Sequence, residues 1–169
     1  MGFKEALRLL FPRKKKEETG NDPVPSSAGA REIGLSEIYY RPGYNDMSGE
    51  GHENTLRCKE EKWTLRSIDR SPVTFKETET TYAVDAAAVA ELESFIVENN
   101  ICDLSQRENS GLFITDYTPW SFTIVFGKVG SRKTCTFGEY LDYSDRDNEL
   151  IGELRKRLEA LKRPDKKIK

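Results

Sequence analysis

A polar stretch at residues 44–54 contains the residue types that could do chemistry. It places the single histidine of the chain, His52, among three carboxylates, which are Asp46, Glu50 and Glu53. Imidazole and carboxylate groups are ordinary ligands of divalent metal ions. The spacing matches neither an EF-hand loop nor an HExxH motif. A solvated hairpin loop is therefore the main interpretation of this stretch, and a metal-dependent enzyme is the alternative.

The cysteines offer a second chemistry, because Cys58 follows His52 by six residues and a small hydrolase could pair this nucleophile with that base. Alternation along a strand, however, puts Cys58 beside Leu56 on an apolar face, where cysteine acts as a small hydrophobic residue. Cys102 and Cys135 have the same interpretation. Three separated cysteines without a CxxC pair indicate neither a disulfide framework nor a zinc site. We expect all three thiols to be reduced and largely buried.

Aromatic residues near strand ends are the candidates for binding, because protein interfaces are enriched in tyrosine and tryptophan. Adjacent residues of a strand point to opposite faces, so one of Tyr39 and Tyr40 is expected to be exposed. The alternative is that the aromatic residues cover the second face of the sheet. The candidate binding residues are Tyr39, Tyr40, Tyr44, Tyr117, Trp120 and Tyr143.

The hydrophobic pattern predicts the elements that would position these residues, in the order β-β-β-β-α-β-β-β-α. Short turns between consecutive strands favour antiparallel pairing. We therefore predict an α+β domain, an antiparallel sheet with both helices packed on one face. The predicted strands span residues 35–41, 55–59, 62–69, 73–84, 112–117, 120–126 and 131–137, and the helices begin after Asp85 and after the Ser-Asp-Arg-Asp capping box at residues 144–147.

The second half of this order runs from a capped helix through a polar loop and two strands with a glycine turn to a leucine-rich helix. Over about residues 78–161 it resembles small uncharacterised bacterial α+β domains. The resemblance contains no catalytic motif. It implies a fold class and no activity.

Charge is distributed unevenly along the chain. Residues 1–16 have six bases and one acid, residues 151–169 have eight bases and three acids, and the acidic body between them has 13 bases and 25 acids. An acidic body repels phosphate, so we expect no nucleic-acid binding by the folded part. Residues 1–16 also place an apolar stripe on one face of a short helix, which predicts a weak anchor to an anionic membrane or a partner. The stripe consists of Phe3, Leu7, Leu10 and Phe11.

The predicted organisation is a basic amphipathic segment at 1–16, a flexible linker at 17–34, a single domain at 35–163 and a basic disordered tail at 164–169. The sequence has neither a stretch of about 20 apolar residues nor a secretory signal, so we expect a cytoplasmic location. The predicted function is a non-enzymatic intracellular domain that binds another protein through the open face or edge of its sheet, without a cofactor.

Overall fold

The computed structural model of the protein describes residues 34–45, 51–111, 117–127 and 130–168. The elements are β1 (Leu35–Arg41), β2 (Tyr44–Asn45), β3 (Gly51–Lys59), β4 (Lys62–Arg70), β5 (Glu77–Val84), α1 (Ala86–Glu98), a first 3-10 helix (Ile101–Gln106), β6 (Tyr117–Thr118), β7 (Ser121–Phe126), β8 (Lys133–Gly138), α2 (Asp145–Ala160), a second 3-10 helix (Pro164–Lys166) and β9 (Lys167–Ile168). Strands and helices follow one another in the predicted order, with two very short strands, β2 and β9, in addition. Of the predicted strand at 112–117, only Tyr117 lies within the described residues, in β6.

Seven of these strands form one sheet, in the order β8-β7-β1-β3-β4-β5-β9, and every neighbouring pair is antiparallel. The strands β2 and β6 pair separately with each other. The prediction of an α+β fold with an antiparallel sheet is confirmed. No helix in the described ranges is long and apolar enough to cross a membrane.

The hydrophobic core lies between the two helices and one face of the sheet. Alternate strand residues such as Ile38, Leu56 and Ile124 are fully buried there, as the two-residue period of a strand requires. Both helices pack on the same face, as predicted, because their apolar stripes join a single core. The helical members of that core are Val89, Leu92, Ile96, Val97, Ile151, Leu154 and Leu158.

The two α-helices begin differently, although both were predicted to have polar caps. At α2 the backbone N–H of Asp147 donates to Ser144 Oγ (3.2 Å) and the N–H of Ser144 donates to Asp147 Oδ2 (3.1 Å), which is the predicted capping box. At α1 Asp85 has the expected position and extended backbone, but its side chain caps no N–H. Its carboxylate instead lies 3.7 Å from both Arg163 and Lys166.

The structure differs from the sequence prediction at the turn of the β4–β5 hairpin. The strand β5 begins at Glu77, four residues later than predicted, because the chain turns through residues 71–76. Val73 and Phe75 therefore lie in a turn and are 83% and 67% exposed. Phe75 also has a positive φ of 54°, a strained conformation for a bulky side chain.

The prediction of a disordered tail at residues 164–169 requires correction for the described residues up to Ile168. Pro164 begins a 3-10 turn, and the chain then pairs with β5 through Thr81 with Ile168 and Tyr82 with Lys167. The helix α2 ends at Ala160, before Pro164, and the chain beyond Pro164 then pairs with a sheet edge.

Candidate functional site

The histidine predicted to lie in a loop belongs to a strand. Residues 51–54 are the first part of β3, where His52 pairs with Asp69 of β4. His52 Nδ1 lies 2.8 Å from Asp69 Oδ1, and both side chains are about half exposed, at 44% and 52%. The pair is a cross-strand contact at the surface, of the kind that stabilises antiparallel sheets.

The structure does not bring together the alternative catalytic pair, His52 and Cys58, because the two residues are six positions apart on one extended strand. At 3.3 to 3.4 Å per residue their α-carbons are roughly 20 Å apart, far beyond proton transfer. The fully buried side chain of Leu56 lies between them on the same face. Cys58 is itself half-buried and pairs with Trp63.

The alternative metal site is not assembled by the residues that the structure describes. His52 and Glu53 are adjacent in β3, so their side chains point to opposite faces of the sheet. Asp46 and Glu50 lie outside the described residues. Among the residues within the described ranges, no three histidine, cysteine, aspartate or glutamate side chains converge closely enough to hold a metal ion.

The face of the sheet away from the helices is polar. Cross-strand ion pairs join Arg57 to Glu37 at 2.8 Å and Arg66 to Glu79 at 2.6 Å, and a third joins Arg70 to Glu77. The hydrogen bond from Arg66 lowers the pKa of the Glu79 carboxyl. This face is therefore a salt-bridged, solvated surface, which makes the edge the better candidate of the two predicted binding surfaces.

The six candidate aromatic residues divide among several environments. Tyr39 lies half-buried on the open face, whereas Tyr40 is 5% exposed and stacks on Phe122 with ring centroids 4.2 Å apart. Tyr40 as a binding residue is therefore corrected to a core residue, because the strand period turns it toward the helices. Tyr44 and Tyr117 contribute backbone to the β2–β6 pair, and their side chains lie outside the described residues, as do Phe3, Leu7, Leu10 and Phe11.

The strand β8 forms one edge of the sheet, and its register shows which backbone groups point outward. The N–H of Glu139 donates to Trp120 O at 3.1 Å, one step beyond the pair Ser121–Gly138. Hydrogen-bonded and non-hydrogen-bonded pairs alternate in an antiparallel ladder. The N–H and C=O groups of Thr134 and Thr136 therefore point away from β7.

These outward groups have no backbone partner within the described part of the chain. The sheet order ends at β8, and no described loop donates to or accepts from Thr134 or Thr136. Both residues are exposed, and the Thr136 hydroxyl lies 3.3 Å from the Thr123 hydroxyl across the strand pair. The edge thus presents two N–H donors and two C=O acceptors in extended geometry.

An aromatic corner adjoins the end of this edge; we define it as Trp120, Tyr140 and Tyr143. The rings of Trp120 and Tyr143 stack with centroids 5.8 Å apart, and the guanidinium of Arg155 lies 4.4 Å from the Trp120 ring centroid. Tyr140 is 36% exposed, and the other two rings are half-buried. The stacking of the two rings and the cation–π contact fix the orientation of the Trp120 ring.

Gly138 allows the aromatic corner to pack closely against the end of β8. A Cβ atom at this position would lie 2.7 Å from Trp120 O and 2.8 Å from Tyr140 Cε1, so only glycine fits. The Tyr143 hydroxyl donates to Gly138 O at 2.8 Å, and burial raises the pKa of that hydroxyl, which keeps it protonated. The carbonyl of Gly138 is thus already used, and the open edge ends at Thr136.

The loop that follows the first 3-10 helix is joined to the first turn of α2 by an ion pair. Arg107 Nη2 donates to Asp147 Oδ1 at 3.0 Å, and Asp147 is 6% exposed. Burial works to raise the pKa of Asp147, but the hydrogen bonds from Arg107 and from Ser144 outweigh it, so the pKa is lowered. A charged Asp147 therefore contributes to the positions of both the helix and the loop.

The sequence predicted Trp120, Tyr143 and a sheet edge as candidates for binding, but it did not indicate that β8 is that edge or that Tyr140 adjoins it. Strand order cannot be read from a single sequence, so nothing marked β8 as the outermost full strand. The signal available was the alternation of Thr134 and Thr136 with Cys135 and Phe137, which predicts a strand that is solvated on one face.

Comparison with known proteins does not assign the chain to a family. No protein-family model matches the chain, and no curated protein shows significant sequence similarity to it. The site is therefore interpreted from its own contacts.

Proposed function

We propose that the protein is a non-enzymatic domain that binds an extended segment of another protein at the edge of β8. The observation that carries this proposal is the outward direction of the Thr134 and Thr136 backbone groups, which have no partner in the described chain. An extended peptide can add a strand to such an edge through main-chain hydrogen bonds.

The two faces of β8 indicate what kind of segment fits. Cys135 and Phe137 point into the core, and Thr134 and Thr136 point to the polar face. A strand added beside β8 has its side chains on the same two faces. The preferred segment therefore alternates apolar and polar residues.

The aromatic corner supplies the side-chain contact in this proposal. It lies beyond Gly138, next to the last open edge group at Thr136. A residue near the end of the added strand packs against Tyr140 and the stacked pair of Trp120 and Tyr143. Tyrosine and tryptophan surfaces of this kind carry much of the binding energy in protein interfaces.

The intracellular setting expected from the sequence is part of the proposal. All three cysteines are free thiols, which is typical of proteins in reducing compartments. Membrane contact through residues 1–16 remains a separate prediction, because those residues lie outside the described ranges.

Selection of short random peptides displayed on phage tests the proposal. Peptides selected on the wild-type protein are expected to lose binding at least tenfold to Thr136→Pro, which removes an outward N–H without breaking the β7–β8 ladder. The matched control is Thr136→Val, which keeps the N–H and is expected to bind normally. Equal binding to all three proteins, or failure to select any peptide, would contradict binding at this edge.

A further inference from the structure

Two cysteines that are distant in the sequence meet in the core beside β8. Cys102 lies in the first 3-10 helix and Cys135 in β8, 33 positions later, and each is 1% exposed. Their Sγ atoms are 2.6 Å apart, and both residues are free thiols. A disulfide bond is about 2.05 Å long, so a short approach of the two sulfur atoms would suffice to form one.

We propose that Cys102 and Cys135 are an oxidation site, at which a small-molecule disulfide such as oxidised glutathione converts the two thiols into one intramolecular disulfide. The cross-link joins the 3-10 helix to the edge strand. This proposal goes beyond the function proposed above and does not rest on it.

The reaction consists of two thiol–disulfide exchanges. One protein thiolate attacks a sulfur atom of oxidised glutathione, the S–S bond of glutathione breaks, and one glutathione thiolate leaves and takes up a proton. The second protein thiolate then attacks the protein sulfur of the mixed disulfide and displaces the second glutathione. Two protein thiols lose two electrons and two protons in total, and one glutathione disulfide becomes two glutathione thiols.

The surroundings of the pair determine how fast it reacts. The hydrogen bond shared with Cys102 and burial both raise the pKa of the Cys135 thiol, so its thiolate is scarce in the closed protein. Reaction therefore proceeds through local opening at the sheet edge, where strands separate at lower cost than in the middle of a sheet. We expect the rate to increase with pH, because the thiolate is the reactive species.

The experiment uses the full chain incubated with oxidised glutathione at mildly alkaline pH, followed by alkylation and tryptic mapping without reduction. Each cysteine falls in a different tryptic fragment: Cys102 in residues 77–107, Cys135 in residues 134–146 and Cys58 in residues 58–59. The expected product is a linked pair of the fragments 77–107 and 134–146, which separates on reduction. The half-buried Cys58 is the internal control, and Cys58→Ser is expected to give the same linked pair.

A second measurement follows the stability of the product. A disulfide that closes a loop of this size is expected to raise Tm by roughly 5 to 15 °C over the reduced protein. Cys58→Ser should show the same increase, and Cys102→Ala should show none. Glutathione attached only at Cys58, full alkylation of Cys102 and Cys135 after oxidation, or a link that includes Cys58 would each overturn the proposal.

Discussion

The two edges of the seven-stranded sheet are finished in different ways. At one edge the chain covers part of β5 with its own strand β9, through Thr81 and Tyr82, and the ion pairs of Asp85 hold the connecting segment. At the other edge no described residue pairs with Thr134 or Thr136 of β8. One edge is thus partly occupied by the chain itself, whereas the described part of the chain leaves the other edge without a partner strand.

Side chains strengthen this difference. The uncovered half of β5 has two carboxylates, Glu77 and Glu79, each paired with an arginine of β4. Charged side chains on an edge strand disfavour the addition of another strand. Between Lys133 and Glu139, by contrast, β8 has no charged residue. Covering and charge thus protect the β5 edge, whereas the residues of β8 after Lys133 are uncharged, and Thr134 and Thr136 have no backbone partner among the described residues.

The largest effect on stability is expected for a substitution on the buried face of β8, compared with a substitution on its exposed face. Phe137 is fully buried and stacks on Phe122 with centroids 5.4 Å apart, so Phe137→Ala should lower the free energy of unfolding by about 3 to 5 kcal/mol. Thr136→Val on the exposed face should change it by less than about 0.5 kcal/mol. Urea unfolding measures both values, and similar losses in the two variants would show that β8 is not held as described.

The next effect concerns the support of the aromatic corner. Asp147→Ala removes the capping-box hydrogen bond that Asp147 Oδ2 accepts from the N–H of Ser144, together with the Arg107 ion pair, and should cost about 1 to 2 kcal/mol at neutral pH. The pKa of Asp147 is lowered on folding, so its contribution is present above the unfolded value and is lost as the pH falls through the folded value. The difference in unfolding free energy between wild type and variant should therefore shrink as the pH falls below the ordinary range of an aspartate pKa. A difference that is independent of pH would contradict the role of the charged carboxylate.

Much of the fold follows from local pattern, as the matching bounds of β1 and the capping box of α2 show. The start of β3 does not, because residues 51–54 are polar and become a strand only by pairing with β4. Their assignment depends on a partner strand and not on their own composition.

The candidate site was predictable only in part, because it also depends on which strands are neighbours in the sheet. Trp120 and Tyr143 could be chosen by residue type, but the open edge depends on strand order. The contact between Cys102 and Cys135 depends on how the 3-10 helix folds against β8, across 33 positions of sequence. His52 and Cys58 lie far apart, although they are close in sequence, because an extended strand separates residues that are six positions apart.

A smaller effect is expected at the turn that precedes the β5 edge. Phe75 is 67% exposed with a positive φ, so Phe75→Asn should relieve backbone strain and raise the free energy of unfolding by about 0.5 to 1 kcal/mol. Val73→Asn is the matched control, because Val73 is also exposed but has no positive φ. Thermal unfolding of both variants measures the difference, and a destabilised Phe75→Asn would argue against strain at this turn.

The smallest effect is expected at the covered edge. Asp85→Ala removes two exposed ion pairs and no capping hydrogen bond, so it should cost less than about 0.5 kcal/mol. Ser144→Ala, which removes a true cap, should cost about 1 kcal/mol. Chemical denaturation compares the two, and a larger loss in Asp85→Ala would show that the covering of β5 depends strongly on these charges.

Residue-resolved amide hydrogen exchange tests the open edge most directly. In the protein alone, the amides of Thr134 and Thr136 should exchange rapidly, while those of Lys133, Cys135 and Phe137 should be protected by β7. On addition of a selected peptide, Thr134 and Thr136 should become protected at least tenfold, with little change along β5. Protection of Thr134 and Thr136 in the protein alone, or no gain in their protection on peptide binding, would contradict the account.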